Sequence, residues 1–227
     1  GKAVDALLDK VSQIKVEDVK EAMDDKIAEL KELVNNMDSE TALSIAKDTY
    51  EKIKVKGQEL VKKIETEKRK VYTDSMKYFE KGRFGNEKVG FIEYPKGEDW
   101  GLFADVRLPV YAMQISKGNG DIYTLMSYDL AKEYKNMNSE KAVEKMLKNV
   151  YDKYKKAGVP KNKMALKPVT LNGHKGMQFV LTEFQGKSMI KNGVIVKDTI
   201  YEITVEGLSE DVIEMQKNVE KSWNEVE

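Results

Sequence analysis

The 227-residue sequence contains no cysteine, which excludes disulfide bonds, thiolate metal sites and cysteine nucleophiles. Histidine is almost absent too, because His174 is the single example. General-base catalysis by histidine needs an orienting carboxylate in a concave site, and metal sites built on imidazole rarely use only one histidine. His174 stands in the stretch LNGHKG, so we interpret it as a turn residue and expect neither a catalytic residue nor a metal ligand.

The sequence also lacks an excess of charge, since lysine plus arginine and aspartate plus glutamate both number 39. Neither side of Gly85 is basic, so we expect no nucleic acid partner. No apolar run approaches the roughly 18 residues of a membrane span. Glycine-rich signatures are incomplete: QGKS at 185–188 has Leu181 where a phosphate-binding loop needs glycine, and GNG at 118–120 lacks the third glycine of a dinucleotide fingerprint. We therefore expect no cofactor.

The hydrophobic period changes once along the chain. Up to about Gly82 the apolar residues follow helical spacing, which predicts two short helices and then a long one of roughly 40 residues whose apolar stripe ends at Phe79. Asp38 or Ser39 is expected to cap the long helix. Such a helix is expected either to kink near Gly57 or to form one arm of an antiparallel hairpin.

After Gly85 the period is close to two and predicts a series of short strands. Asn-Gly pairs, the strongest short signal for a two-residue hairpin, stand at Asn172 and at Asn192. A turn at Asn192 places Phe184 opposite Tyr201. The expected elements are strands over 88–94, 99–106, 109–116 and 121–128, a helix over 138–158, strands over 165–171, 176–190 and 194–206, and a closing helix.

This order predicts an α+β protein, because hairpins rather than helices join most neighbouring strands. A helical bundle or hairpin over 1–85 is expected to precede an antiparallel sheet flanked by helices over 86–227. The change of period coincides with Gly82 and Gly85, and each side carries its own apolar stripe. We therefore predict two domains that fold separately.

Residues 86–227 resemble the PsbP-like superfamily. The resemblance lies in VGFIEYP at 89–95 with a tryptophan soon after it, a middle helix, VTLNGHKGMQFVLTEF at 169–184, a long hairpin ending IYEITVEG at 207, and a final helix ending in an aromatic residue. It implies a non-catalytic accessory or binding protein, similar to the secreted lipoproteins that bacteria contribute to this superfamily. The partner, a protein or a small molecule, is not implied by the fold.

Aromatic residues are dense on the first predicted strands. Trp100 follows a polar loop and could line a groove with Tyr94 beside Arg107, and we select these three as candidate binding residues. Two alternatives remain. One is a hydrolase whose carboxylate site is not recognisable from sequence, which requires a deep pocket with raised carboxyl pKa values. The other is a cytosolic regulator that binds a partner through its helical hairpin.

The resemblance and the lack of cysteine lead to an expectation about location. We expect an extracytoplasmic protein of a bacterium, held at the membrane only by a lipid anchor on a cysteine encoded before Lys2. The helical residues would then space the sheet domain from the bilayer. A cytoplasmic location is the alternative.

Overall fold

The computed structural model describes residues 2–12, 19–36, 39–97, 99–103, 105 and 107–227. The chain groups into two units, the helical unit (Gly1–Val71 with Asp105–Val110) and the sheet unit (Tyr72–Ala104 with Tyr111–Glu227). Within the described part of the chain, none of the helices combines the length and the apolar character that crossing a membrane requires.

The helical unit is built from α1 (Lys2–Ser12), α2 (Val19–Asn35) and α3 (Ser39–Phe79), and α3 continues into the sheet unit. The apolar stripes of the three helices meet in one small core, at whose centre Leu7, Leu30 and Ile53 are buried. The helical prediction for this part of the chain is therefore confirmed.

The third helix runs for 41 residues and continues through Gly57 without a break in its hydrogen bonding. A Cβ at Gly57 would lie 2.9 Å from the Cε of Met23, so the glycine allows α2 to lie close to α3. The predicted capping residue Asp38, like the side chain of Ser39, lies outside the part of the chain that the structure describes.

The sheet unit contains a seven-stranded antiparallel sheet in the order β3-β4-β5-β9-β8-β7-β6, and a separate β1-β2 hairpin. Its strands are β1 (Arg83–Asn86), β2 (Gly90–Glu93), β3 (Gly101–Phe103), β4 (Met113–Ser116), β5 (Ile122–Asp129), β6 (Met164–Leu171), β7 (His174–Phe184), β8 (Lys187–Val196) and β9 (Thr199–Leu208). Its helices are α4 (Leu130–Glu133), α5 (Ser139–Lys156) and α6 (Ser209–Ser222). This architecture confirms the predicted α+β class and the sheet flanked by helices.

The helices α5 and α6 cover opposite faces of the sheet. The two faces are visible at consecutive residues of β8: the side chain of Asn192 exchanges hydrogen bonds with Gln216 on α6, whereas Gly193 lies against Met146 and Val143 of α5. Because side chains alternate between faces along a strand, the sheet is packed on both sides. Asn138 caps α5 at the start of the helix predicted over 138–158, and its side chain accepts a hydrogen bond from the backbone N–H of Lys141.

The hairpin predicted at Asn192 and Gly193 is wrong. Both residues lie inside β8, where Asn192 is fully buried and Gly193 allows the close approach of α5. The turns on either side of β8 lie at 185–186, where Phe184 pairs with Lys187, and at 197–198. Consequently Tyr201 pairs with Val194 rather than Phe184. The Asn-Gly pair therefore serves burial and helix packing in this fold rather than a turn.

The helical and sheet units meet in sequence inside α3, whose last turns carry side chains of the sheet core. Tyr78 and Phe84 are buried, the ring of Tyr78 meets Phe91 edge-on at 4.7 Å, and Phe79 stacks on Phe84 at 5.9 Å. The independent folding of residues 1–85 and 86–227 stays a prediction, and these contacts define how to test it.

We expect a fragment of residues 72–227 to unfold cooperatively. A fragment of residues 86–227 should be less stable by at least about 3 kcal/mol, because it lacks several buried aromatic rings. Urea unfolding followed by circular dichroism measures both. Equal stability of the two fragments would show that α3 adds nothing to the sheet core.

Candidate functional site

A surface groove with a cavity volume of about 400 Å³ lies on the α6 face of the sheet unit. The groove lies between the segment after β2 and one face of α6, and the loop between β4 and β5 closes one of its ends. The residues that line this groove are Glu93, Tyr94, Pro95, Lys96, Trp100, Lys117, Asp121, Tyr123, Asp211, Glu214, Met215, Asn218 and Lys221.

The aromatic wall of the groove is fixed by contacts on all sides. The backbone N–H of Tyr94 donates to the carbonyl of Gly82 at 2.8 Å, and its hydroxyl donates to the carbonyl of Trp100 at 3.0 Å. The Trp100 ring lies 5.2 Å from the ring of Tyr123, and the ammonium of Lys117 lies over it at 5.2 Å. Trp100 is only 9% exposed, so the wall is preorganised rather than a loose loop side chain.

A chain of hydrogen bonds ties the floor of the groove to both of its sides. The side-chain amide of Asn218 on α6 donates to the carbonyl of Glu93 at 2.9 Å and to the Tyr123 hydroxyl at 3.4 Å. Burial raises the pKa of Tyr123 to about 12, so this hydroxyl stays protonated at neutral pH. These bonds hold β2, β5 and α6 at fixed distances from one another.

Two carboxyl groups share a hydrogen bond at one end of the groove. Asp121 is fully buried, and its Oδ1 accepts from the backbone N–H of Leu208 at 2.9 Å. The hydrogen bond to Asp121 raises the pKa of Asp211, with burial and the negative charge of Asp121 acting in the same direction. Lys117 opposes this shift. A raised carboxyl pKa means that Asp211 holds its proton more tightly than a free aspartic acid does in water.

The remaining charges of the groove are paired at its other end and along its rim. Lys221 forms an ion pair with Glu93 at 3.1 Å, and its hydrogen bond lowers the pKa of that carboxyl. Glu214 pairs with Lys217 at 3.1 Å. The walls therefore compensate most of their own charge.

Replacing Asp211 by asparagine is expected to raise the midpoint of thermal unfolding at neutral pH by roughly 1–2 °C. An acid with a raised folded-state pKa stabilises the fold at low pH, and this contribution is lost as the pH rises. The amide donates to Asp121 at every pH, so the advantage of the variant should disappear in acid. Thermal unfolding followed between acid and neutral pH measures this, and a lower midpoint of the variant at neutral pH would contradict the raised pKa of Asp211.

The structure brings two of the three predicted binding residues together. Tyr94 and Trp100 line the groove, but Arg107 belongs to the helical unit, where it forms an ion pair with Asp105 at 2.6 Å. Arg107 lines a different cavity of about 770 Å³, together with Met23 and Gly57. Sequence proximity to Trp100 was therefore a poor guide to its position.

His174 lies at the turn predicted for it, directly opposite Leu171 in the β6-β7 hairpin. Its Nε2 is 2.9 Å from the Oε2 of Glu225, and its ring meets Trp223 edge-on at 6.3 Å. These contacts tie the C-terminal segment to the hairpin and do not involve the groove. The structural interpretation of His174 is thus supported by its surroundings.

Sequence reasoning missed the contribution of α6 to the groove. The side chains of Asp211, Met215, Asn218 and Lys221 are spaced three or four residues apart and share one face of the helix. The spacing of these residues could have shown that they share a helix face. It could not show that this face lines a groove, because an amphipathic pattern does not identify the element opposite the polar side of a helix. Among the described residues, no group of three or more histidine, aspartate or glutamate side chains is placed to hold a metal ion.

No family model and no curated protein sequence matches the chain. Among solved structures, the chain is similar to LpqN, described as involved in cell envelope biogenesis of Mycobacterium tuberculosis, with 12% identity and a TM-score of 0.36 over 57% of this chain and 80% of LpqN. It is also similar to PsbP (CyanoP) from Synechocystis sp. PCC 6803, with 7% identity and a TM-score of 0.40 over 63% of this chain and 90% of CyanoP.

Proposed function

We propose that the chain is a non-catalytic accessory protein that binds a small polar ligand, or a polar group of a partner, in the groove. The observation that carries this proposal is the preorganised aromatic wall, in which Tyr94, Trp100 and Tyr123 hold one another in place. Binding sites are concave, largely preformed and equipped with a few convergent polar groups, and the groove has these features.

The arrangement of carboxyl groups favours binding over hydrolysis. Asp211 has a raised pKa in a cavity, which is the feature that a hydrolase would require. However, the neighbouring Asp121 is fully buried, so its carboxylate is not exposed to a substrate in the groove. Asp121 is also committed to the backbone of Leu208. We expect no turnover of nitrophenyl esters or glycosides, and turnover that is lost in Asp211→Asn would favour the hydrolase.

The binding proposal is tested by the indole N–H signals of the full chain in nuclear magnetic resonance spectra. The chain contains two tryptophans, and only Trp100 lines the groove. The probes are sodium benzoate, benzyltrimethylammonium chloride, methyl glucoside and cyclohexanemethanol. At least one probe should shift the Trp100 signal saturably and leave that of Trp223 in place.

The variant Tyr94→Ala removes the ring and hydroxyl that hold Trp100, and it should weaken the binding of that probe by about fivefold or more. The matched control is Tyr50→Ala, because Tyr50 is an exposed residue of the helical unit. Failure of every probe to move the Trp100 signal, or equal shifts of both indoles, would contradict the proposal.

An extracytoplasmic location at the membrane surface is part of the same proposal and is supported by the PsbP-like sequence resemblance and the absence of cysteine. A lipid on an upstream cysteine would provide the anchor. The complete reading frame tests this. A basic start, an apolar stretch of about 7 to 15 residues and a cysteine before Lys2 would support it, and a start codon directly before Lys2 would contradict it.

A further inference from the structure

The charges that line the groove are balanced, and this balance restricts the chemistry of its ligand. The lining contains four carboxyl groups and three lysines, and Lys217 beside it pairs with Glu214. Lys221 pairs with Glu93, and the positive charge of Lys117 acts on Asp211. A charged ligand would lose its hydration without meeting an uncompensated opposite charge, so the walls favour a ligand without net charge.

The polar groups of the groove require a ligand that forms many hydrogen bonds. The lining contains both donors and acceptors: the ammonium of Lys96 is near the carboxyl of Glu93, and that of Lys117 is near the carboxyl of Asp211. An apolar ligand would displace water from all of these groups and leave them without partners, which is costly. Hydroxyl groups both donate and accept, so a polyhydroxylated ligand matches a wall of mixed donors and acceptors.

Apolar groups also line the groove. They are the ring of Tyr94 and the pyrrolidine of Pro95 on one side, the slightly exposed Trp100 beside them, and Met215 on α6. The Lys117 side chain covers part of the indole face. These groups match the carbon-bound hydrogens of a saturated ring, which tolerate contact with aromatic and thioether groups.

From these three properties we infer that the groove binds a neutral pyranose sugar. The inference rests on the proposed binding function and adds the chemical class of the ligand. The cavity of about 400 Å³ falls at the small end of the range of ligand sites, which suits one or two sugar rings.

The test uses the full chain with Trp223→Phe, which leaves Trp100 as the sole tryptophan. The Nε1 of Trp223 is buried without a hydrogen-bond partner among the described residues, so phenylalanine loses no polar contact there. Three probes share one ring and differ in charge. Methyl β-D-glucopyranoside is neutral, methyl β-D-glucuronide carries a carboxylate at C6, and methyl β-D-glucosaminide carries an amine at C2 that is cationic in mildly acidic buffer. Trp100 fluorescence is titrated with each.

We expect the neutral glucoside to bind with a Kd on the order of 1–10 mM and about fivefold more tightly than either charged analogue. Lys117→Met removes one ammonium from the groove. In this variant the cationic glucosaminide should bind more tightly than the neutral glucoside. The matched control Lys153→Met changes an exposed residue of α5, on the opposite face of the sheet, and should leave the order unchanged. Circular dichroism of each variant confirms that it is folded.

Tighter binding of the glucuronide or the glucosaminide to the unsubstituted groove would overturn the sugar assignment and leave the binding function intact. The assignment would also be overturned if the glucoside caused no saturable change of Trp100 fluorescence up to about 100 mM. The proposed function itself fails only if benzoate, benzyltrimethylammonium and cyclohexanemethanol are likewise silent at Trp100, so the two failures are distinguishable.

Discussion

Replacing Gly207 by alanine is expected to destabilise the folded protein by about 3 kcal/mol or more and to abolish binding in the groove. A Cβ at this position would lie 2.1 Å from the Oδ1 of Asp121, and the backbone φ of +146° is one that residues with a side chain rarely adopt. Asp121 cannot move away without losing the hydrogen bond from Leu208 at 2.9 Å. The substitution therefore acts on the carboxyl end of the groove directly.

The matched control is Gly173→Ala, at the tip of the β6-β7 hairpin. Its φ is +79°, so an added side chain is strained there too, but no atom lies within 4 Å of the Cβ position. We expect a loss of about 1 kcal/mol from strain alone. Chemical denaturation of both variants measures the difference. Equal losses would show that the contact with Asp121 is relieved by a small backbone shift and that the carboxyl end is not rigid.

Trp223→Ala is expected to be the most destabilising truncation in the sheet core, with a loss of about 3–5 kcal/mol. The side chain is 2% exposed, meets the ring of Tyr201 edge-on at 5.3 Å and fills the space above Gly90. It also fixes the chain just after α6, because Asn224, the residue that follows Trp223, exchanges two backbone hydrogen bonds with Phe91.

The comparison with Trp223→Phe separates ring packing from polar contacts. Phenylalanine keeps most of the buried area, and the indole N–H it removes has no partner within the described part of the chain. We therefore expect Trp223→Phe to cost less than half as much as Trp223→Ala in urea unfolding. Similar losses in the two variants would mean that the indole N–H has a partner in solution.

The fold was largely predictable because most elements carry their own local signal. The cap at Asn138, the turn at Asn172 and the amphipathic pattern of α5 each agree with the packing around them. The turn at 192–193 failed because tertiary burial selects the same residue pair: Asn192 bonds Gln216, and Gly193 accommodates α5. Local propensity cannot distinguish these two causes.

The candidate site was predictable only in part. Trp100 and Tyr94 stood out because aromatic residues beside a polar loop are unusual. Asp121 and Asp211 are 90 positions apart in sequence and meet only because β5 pairs with β9, which leads into α6. Arg107, only seven positions from Trp100, belongs to the other unit. The chemistry of the groove therefore depends on long-range pairing that no local pattern encodes.

We propose that ligands bind in the groove of the sheet unit and not in the larger cavity of the helical unit. Methionine methyl groups labelled with ¹³C test it in one spectrum, because Met215 lines the groove and Met23 lines the other cavity. The full chain is titrated with methyl β-D-glucopyranoside, and then with sodium benzoate and benzyltrimethylammonium chloride. We expect a saturable shift of the Met215 signal and an unchanged Met23 signal. A saturable shift of the Met23 signal alone would contradict binding in the groove.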